Sequence, residues 1–213
     1  IGEKRYSRKI EKILKKFSKN FNGHIIILNG HTHAYSRGHH PNHKITNIIS
    51  GPLGGTIDYW KKTSNDYPHF MIVNSTPGWS KFDINEETIS FKHYAFSPTA
   101  KTTTIEDQFD LSVTKKRPNS PEVLSVKKDE GSIKIDLKNQ DFLSIQVELV
   151  EKKGVHKIQI DERNDMKNEE IFNDLSRVEV PIKKKSKKEE VKLRVRARDK
   201  NLNWSQFTNY ITL

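Results

Sequence analysis

Two histidines one residue apart, His31 and His33, follow an aliphatic run in "HIIILNGHTHAYSRGHH", residues 24–40. Side chains at i and i+2 of an extended segment point the same way, so the pair is read as two imidazoles presented toward one cleft from a strand end. Gly30 lets the backbone turn there and leaves room for a ligand. In a site with two metal ions about 3.5–4 Å apart, such neighbours can each take a different ion. The competing reading is two polar residues in an ordinary turn. An isolated His-x-His does not separate the two, but the frame of aliphatic strand, Asn, Gly, His, Thr, His favours metal. Tyr35 and Arg37 come next as candidate cleft residues, Arg37 being suited either to a phosphate oxygen or to a surface salt bridge. His39, with His40 and His43, reads as a substrate-phosphate contact, as a holder of an adventitious ion or as part of a solvated loop. His24, His69 and His93 sit at strand edges and read as structural. With no cysteine in the chain, neither a thiolate site nor a disulfide framework is available. Any metal must be held by His, Asp, Glu, Asn or backbone, and two histidines are too few, since even one catalytic zinc takes about three protein ligands.

The elements that must position these residues are legible from periodicity. In "KRYSRKIEKILKKFSKNFN", residues 4–22, Tyr6, Ile10, Ile13, Leu14 and Phe17 recur at three- and four-residue intervals, which predicts an amphipathic helix with a basic outer face, ended by Asn22-Gly23. "HIIIL" is apolar at consecutive positions, as in a strand buried on both faces of a layered core. The polar segment after it would then be a loop at the strand's C-terminal end, where open α/β sheets place ligands. Further strands are predicted at 45–50, 69–75, 79–84, 88–96 and 108–113, separated by turns such as "GPLGG", whose Gly54 and Gly55 read as a tight turn near the cleft. The stretch "TKKRPNSPEV", 114–123, is a linker by composition. Beyond it, alternation at 132–137, 144–150, 156–161, 177–182 and 191–199 predicts an all-β sandwich.

A chain of 213 residues accommodates two domains, expected at 1–116 and 117–213. The formal charge of +11 permits attraction to nucleic acid, anionic lipid or phosphorylated substrates. Lys, Asn and Ile are abundant together, as an AT-rich genome produces, and the run "KKKSKKEE" at 183–190 reads as a solvated hairpin loop. Without clustered aromatics or a recognisable motif, no specific nucleic acid is expected as partner. No apolar run approaches the roughly 20 residues that cross a bilayer. The chain begins at Ile1 rather than Met, and is read as processed or as a fragment.

The block "LNGHTHAYSR" resembles the last metal-binding block of the calcineurin-like metallophosphoesterases, Gly-His-x-His after a buried strand. Ala34, Tyr35 and Arg37 are most similar to the purple acid phosphatase branch, which carries Glu where Ser36 stands. The preceding helix and strand, and "IISGPLGG" at 48–55, extend the resemblance over roughly residues 4–113. It implies a partial four-layer α/β/β/α sandwich, with His31 on one ion and His33 on the other of a binuclear Fe, Zn or Mn centre. It implies too that Tyr35, Arg37 and His39 lie along the substrate cleft. The family's upstream Asp-x-His, Gly-Asp, Gly-Asn-His and further His blocks do not occur before residue 31, so the chain is expected to be the C-terminal half of a phosphoester hydrolase and inactive alone. "VKLRVRARDKNLNWSQFT", 191–208, resembles the last two strands of a fibronectin type III domain. Arg194, Arg196 and Arg198 would face one side of that sheet, as a solvated strand face or an anion-binding one. Trp204 would cover the end of the core. Such accessory sandwiches accompany exported enzymes, so an extracytoplasmic location is expected, with cell-surface or polysaccharide contact through the sandwich. The alternative is a non-catalytic surface or adhesion module whose first domain is a degenerate phosphoesterase remnant.

Overall fold

The computed structural model describes residues 4–21, 23–53, 55–58, 70–113, 116–138, 141–151, 154–166, 169–182 and 190–213. It is mostly β with several sheets and one helix. Two compact units divide it, Ile1–Lys115 with Asn164–Ile171, and Lys116–Arg163 with Phe172–Leu213.

The first unit opens with helix α1 (Lys4–Asn20) and then builds a sheet from β1 (Ile25–Asn29), β2 (Tyr35–His39), β3 (Ile45–Ser50) and β4 (Phe70–Asn74) in the order β1-β3-β2-β4. β1 and β3 are parallel, with Ile25 opposite Ile45. β2 runs antiparallel to both its neighbours, placing Arg37 opposite Ile48 on one side and Ile72 on the other. Strands β5 (Gly78–Ile84), β6 (Thr88–Ser97) and β7 (Thr102–Ser112) form an antiparallel meander. β7 starts six residues before the predicted strand at 108, because the run Thr102–Thr104 is β-branched and suits a pleated surface. Tyr35, Ile48, Ile72, Phe91 and Leu111 are fully buried, and the Phe91 ring lies 4.9 Å from that of Phe109.

Two expectations about this unit change. The segment read as a polar loop after the histidines is strand β2, buried at every position. Conversely β1, predicted to be buried on both faces, is half-buried and then exposed along its length, with Leu28 60% exposed. The reason is its place in the sheet: among the described residues β1 stands at one end with β3 as its neighbour. The apolar face of α1 is likewise open, with Ile10 57%, Ile13 67% and Phe17 53% exposed. Asn22, Gly54 and His69 lie outside the described residues, as do residues 183–189 of the basic run.

The second unit follows the predicted alternation closely. Strands β8 (Val123–Lys128), β9 (Ser132–Leu137), β10 (Ser144–Glu151) and β11 (Gly154–Asp161) precede a short pair, β12 (Arg163–Met166) and β13 (Glu169–Phe172), whose stretch Asn164–Ile171 belongs to the first unit. β14 (Arg177–Pro181), β15 (Lys192–Arg198) and β16 (Ile211–Thr212) complete the chain. Two antiparallel sheets result, β14-β9-β8 and β11-β10-β15-β16. Every second residue of β9, β10, β14 and β15 enters one core: Ile133, Ile135, Ile145, Val147, Val178, Val180, Leu193, Val195 and Ala197.

The opposite face of β15 is a ladder rather than a solvated row. The Arg196 guanidinium lies 4.4 Å from the Trp204 ring and 4.7 Å from Phe207, and Arg194 lies 4.4 Å from Phe207 and 4.8 Å from Tyr210. Arg194 also donates to Glu148 from Nε and Nη2, each at 2.7 Å. Trp204 therefore stacks on arginines of the sheet face instead of closing the core. The segment carrying the aromatics is held by hydroxyls, with Ser205 Oγ accepting from the Ala197 N–H at 3.0 Å and Thr208 Oγ1 accepting from the Val195 N–H at 3.0 Å. Burial pushes Arg198 down to about 10, against the opposing pull of Asp161 and Asp199. Trp204→Ala is expected to lower the stability of the second unit by roughly 2–3 kcal/mol, combining lost area with two cation–π contacts. Differential scanning calorimetry checks this, and a change under about 0.5 kcal/mol would remove the ladder from the account of stability.

Candidate functional site

The Gly-His-Thr-His block occupies the turn between β1 and β2. The i, i+2 alternation of an extended strand is therefore not what sets its geometry. The left-handed position falls on His31, at φ 74°, rather than on Gly30. For a residue with a Cβ this conformation costs on the order of 1 kcal/mol, a local strain of the kind that collects at functional turns. His31 is exposed and His33 is half-buried.

What holds the turn is the segment that follows β3. Gly51 lies so close beneath it that a Cβ there would come within 2.0 Å of the Thr32 carbonyl oxygen, and the Gly51 N–H donates to the Ala34 carbonyl at 3.3 Å. Gly55 passes under the His33 ring, where a Cβ would sit 2.7 Å from both Nδ1 and Cε1. His33 Nδ1 is 2.6 Å from the Thr56 carbonyl oxygen. A carbonyl can only accept, so Nδ1 carries a proton, and in the neutral ring the lone pair is on Nε2. The His33 N–H donates to Asp58 Oδ2 at 2.8 Å, and the Asp58 N–H returns a bond to the His33 carbonyl at 3.1 Å. One imidazole nitrogen is thus anchored on a backbone carbonyl while the other is free to donate electrons, which is the arrangement of a metal-ligating histidine. Among the described residues, no group of three or more His, Asp or Glu side chains is placed to hold an ion.

The sequence reading puts Tyr35, Arg37 and His39 along a cleft, whereas the structure puts all three inside the first unit. They share one face of β2, where Tyr35 and Arg37 converge on Asp107 of β7 and His39 joins through Arg37. Arg37 donates from Nε to Asp107 Oδ2 at 2.6 Å and from Nη2 to Oδ1 at 2.9 Å, and the Tyr35 hydroxyl donates to the same carboxylate. The remaining guanidinium nitrogen, Nη1, donates to His39 Nε2 at 2.6 Å, so His39 Nδ1 is the protonated nitrogen and donates to Thr46 Oγ1 at 2.8 Å. Arg37 is 6% and Asp107 5% exposed, so this is a buried bidentate ion pair with its donors matched. Burial alone would lower the Arg37 pKa, but the charge and hydrogen bonds of Asp107 outweigh it and hold it above its ordinary value. Burial and then Asp107 push the Tyr35 phenol well above the usual range.

His93 lies against this network, its ring 3.7 Å from that of Tyr35 and nearly parallel at 7°. Its Nδ1 is 3.0 Å from Ser80 Oγ, which is 2.8 Å from Ser50 Oγ, the residue before Gly51. His93 Nε2 is buried and has no hydrogen-bond partner among the described residues. Burial lowers its pKa to about 4, with Asp107 pulling the other way. Three further histidines of this unit make contacts of their own: Asn42 donates its N–H to His40 Nδ1 at 3.1 Å, His43 Nδ1 is 2.7 Å from Ser18 Oγ, and His24 Nε2 is 3.0 Å from the Ser112 carbonyl.

Asp107, Thr56 and Asp58 escaped the sequence reading. A signal for Asp107 existed, since it shares its face of β7 with Phe109 and Leu111, a carboxylate in an inward-facing row. None existed for Thr56, which acts through its backbone. No helix among the described residues is long and apolar enough to cross a membrane. No protein-family model matches the chain, and no curated protein matches it as a relative.

Proposed function

We propose that the chain is the C-terminal part of a binuclear metal-dependent phosphoester hydrolase, resembling the calcineurin-like metallophosphoesterases and followed by a fibronectin type III-like domain. The observation that carries the reading is the His33 ring, with Nδ1–H on the Thr56 carbonyl and Nε2 unbound among the described residues. His33 and His31 would each hold one ion of Fe, Zn or Mn. Such ions activate a water for attack on phosphorus and stabilise the charge on the phosphoryl oxygens. Two imidazoles fit the last corner of such a site and fall short of a whole one. The exposed Ile10, Ile13 and Phe17 of α1, and the side of β1 that has no strand neighbour among the described residues, support a fold in which further polypeptide packs here and supplies the remaining ligands. In this reading Tyr35, Arg37, His39 and Asp107 frame the turn from within, and the second unit is an accessory sandwich on an extracytoplasmic enzyme.

Assays with p-nitrophenyl phosphate and Mn, Fe or Zn test the proposal. The chain alone is expected to give no turnover. The chain joined to its upstream coding sequence should turn over, and lose at least about a hundredfold in kcat on His33→Ala. Robust turnover by the chain alone, lost in His31→Ala, would overturn the fragment reading. Absence of Asp-x-His and Asn-His blocks upstream would overturn the hydrolase reading in favour of a non-catalytic surface module.

A further inference from the structure

Asp58 is exposed, three residues past Gly55 and 25 positions from His33, yet it meets His33 in both directions. Its carboxylate takes the His33 N–H at 2.8 Å while its own N–H reaches the His33 carbonyl at 3.1 Å. This two-way bond pins the backbone of one loop to the backbone of the other. Between the two pinned residues, the Thr56 carbonyl is brought to 2.6 Å from His33 Nδ1, and Gly55 leaves the space that the ring occupies. The buried Pro52 and the close approach of Gly51 to Thr32 anchor the near end of the same segment. Of the donors and acceptors involved, each is matched to one partner, so a change at Asp58 propagates to the ring through the position of the 55–58 backbone.

We propose that Asp58 is a positioning residue that, with Thr56 and Gly55, locks His33 in the Nδ1–H tautomer with Nε2 available for a ligand. The proposal rests on His33 being a metal ligand for its significance, but the lock itself exists without metal. Imidazole in water interchanges its two tautomers freely; a ligand that must bind through Nε2 benefits from having the other form removed beforehand. Removing the lock would weaken metal binding while leaving every first-hand ligand in place.

The test is long-range 1H–15N correlation of the histidine rings in the full chain, free of metal and at a fixed pH of about 8, where imidazole is neutral. The wild-type His33 ring should show Nδ1 protonated and Nε2 unprotonated. Asp58→Ala should lose that signature and show a mixture, Asp58→Asn should restore it because Asn Oδ1 can accept the same N–H, and Gly55→Ala should lose it by pushing the ring off Thr56. Because Asp58 is exposed, unchanged far-ultraviolet circular dichroism will show that the Ala variant folds. A His33 ring already mixed in the wild type, or one that stays Nδ1-protonated in both Asp58→Ala and Gly55→Ala, overturns the lock. Zn2+ added to the chain joined to its upstream coding sequence, where the remaining ligands are proposed to lie, and followed at His33 Nε2, addresses the ligand reading separately. Absence of any Zn2+ effect with the tautomer locked counts against the phosphoesterase reading and not against Asp58. If Zn2+ binds, Asp58→Ala should need at least about tenfold more of it.

Discussion

Asp107→Ala should destabilise the first unit by about 3–5 kcal/mol, because it leaves the Arg37 guanidinium inside the protein with no counter-charge. Arg37 gives Nε and Nη2 to that carboxylate, and the Tyr35 hydroxyl shares it. Removing it strands three donors where water does not reach, since both ends of the pair are nearly inaccessible. Asp107→Asn should cost somewhat less, as one acceptor oxygen survives but the charge does not. The double variant Arg37→Met, Asp107→Leu should regain most of the loss, because a buried pair replaced by apolar groups of similar size is often neutral. Urea unfolding at pH 7, followed by hydrogen exchange in β2 and β7 peptides, measures all three. A single-variant loss below about 1 kcal/mol would mean that the pair is solvated and that the interior assignment of Arg37 fails.

The second large effect is a dependence on pH carried by His93. Its folded pKa is about 4, below the ordinary value of 6.5 from which burial displaces it. Between those values the unfolded chain binds a proton that the folded chain refuses, so the contribution of neutral His93 is complete above pH 6.5. It is lost as pH falls toward 4, and levels off below. A displacement of this size corresponds to something on the order of 3 kcal/mol across that window. The groups facing His93 do not cancel it. Tyr35 stays neutral throughout, Ser80 does not titrate, and the opposing pull of Asp107 is weaker than burial. The informative quantity is the difference between wild type and His93→Phe, which keeps the stacking partner of Tyr35 and leaves the rest of the chain unchanged. The wild type should lose stability to acid more steeply than the variant over pH 6.5–4; parallel curves would show that His93 is accessible to water.

The two effects meet beneath the Gly-His-Thr-His turn. Asp107 holds β2 by its polar face, and the chain from His93 through Ser80 to Ser50 reaches the residue before Gly51, on which the turn rests. Loosening either should be felt at His33, although neither residue touches it. This gives Tyr35, Arg37 and His39 a role on the inside of the turn that their order in the chain does not suggest.

The strands of the second unit were legible because each alternates strictly and each faces one core. In "SIKIDL" or "KLRVRAR", period two decides at once which residues are inside and where the strand runs. The same rule misled at β2. Tyr35, Arg37 and His39 do alternate, with Ser36 and Gly38 between them, but their row is polar, and a polar row reads as outward or as loop. It is inward because a carboxylate 70 positions further on matches it bond for bond. Nothing near Arg37 in the chain announces that partner. At β1 the four apolar residues announced burial, and the edge position in the sheet left Leu28 exposed.

By itself the sequence determined the Gly-His-Thr-His block after an aliphatic strand, the basic amphipathic helix, the absence of thiolate chemistry and the alternating strands beyond the linker, all properties of neighbours in the chain. Only the tertiary structure decided which nitrogen of His33 is free, that Asp58 and Thr56 fix it, and that Arg37 is buried on Asp107. Those outcomes depend on hydrogen bonds between groups 23 to 70 positions apart. Periodicity states which face a side chain takes; which partner waits on that face is set by the pairing of distant strands and loops.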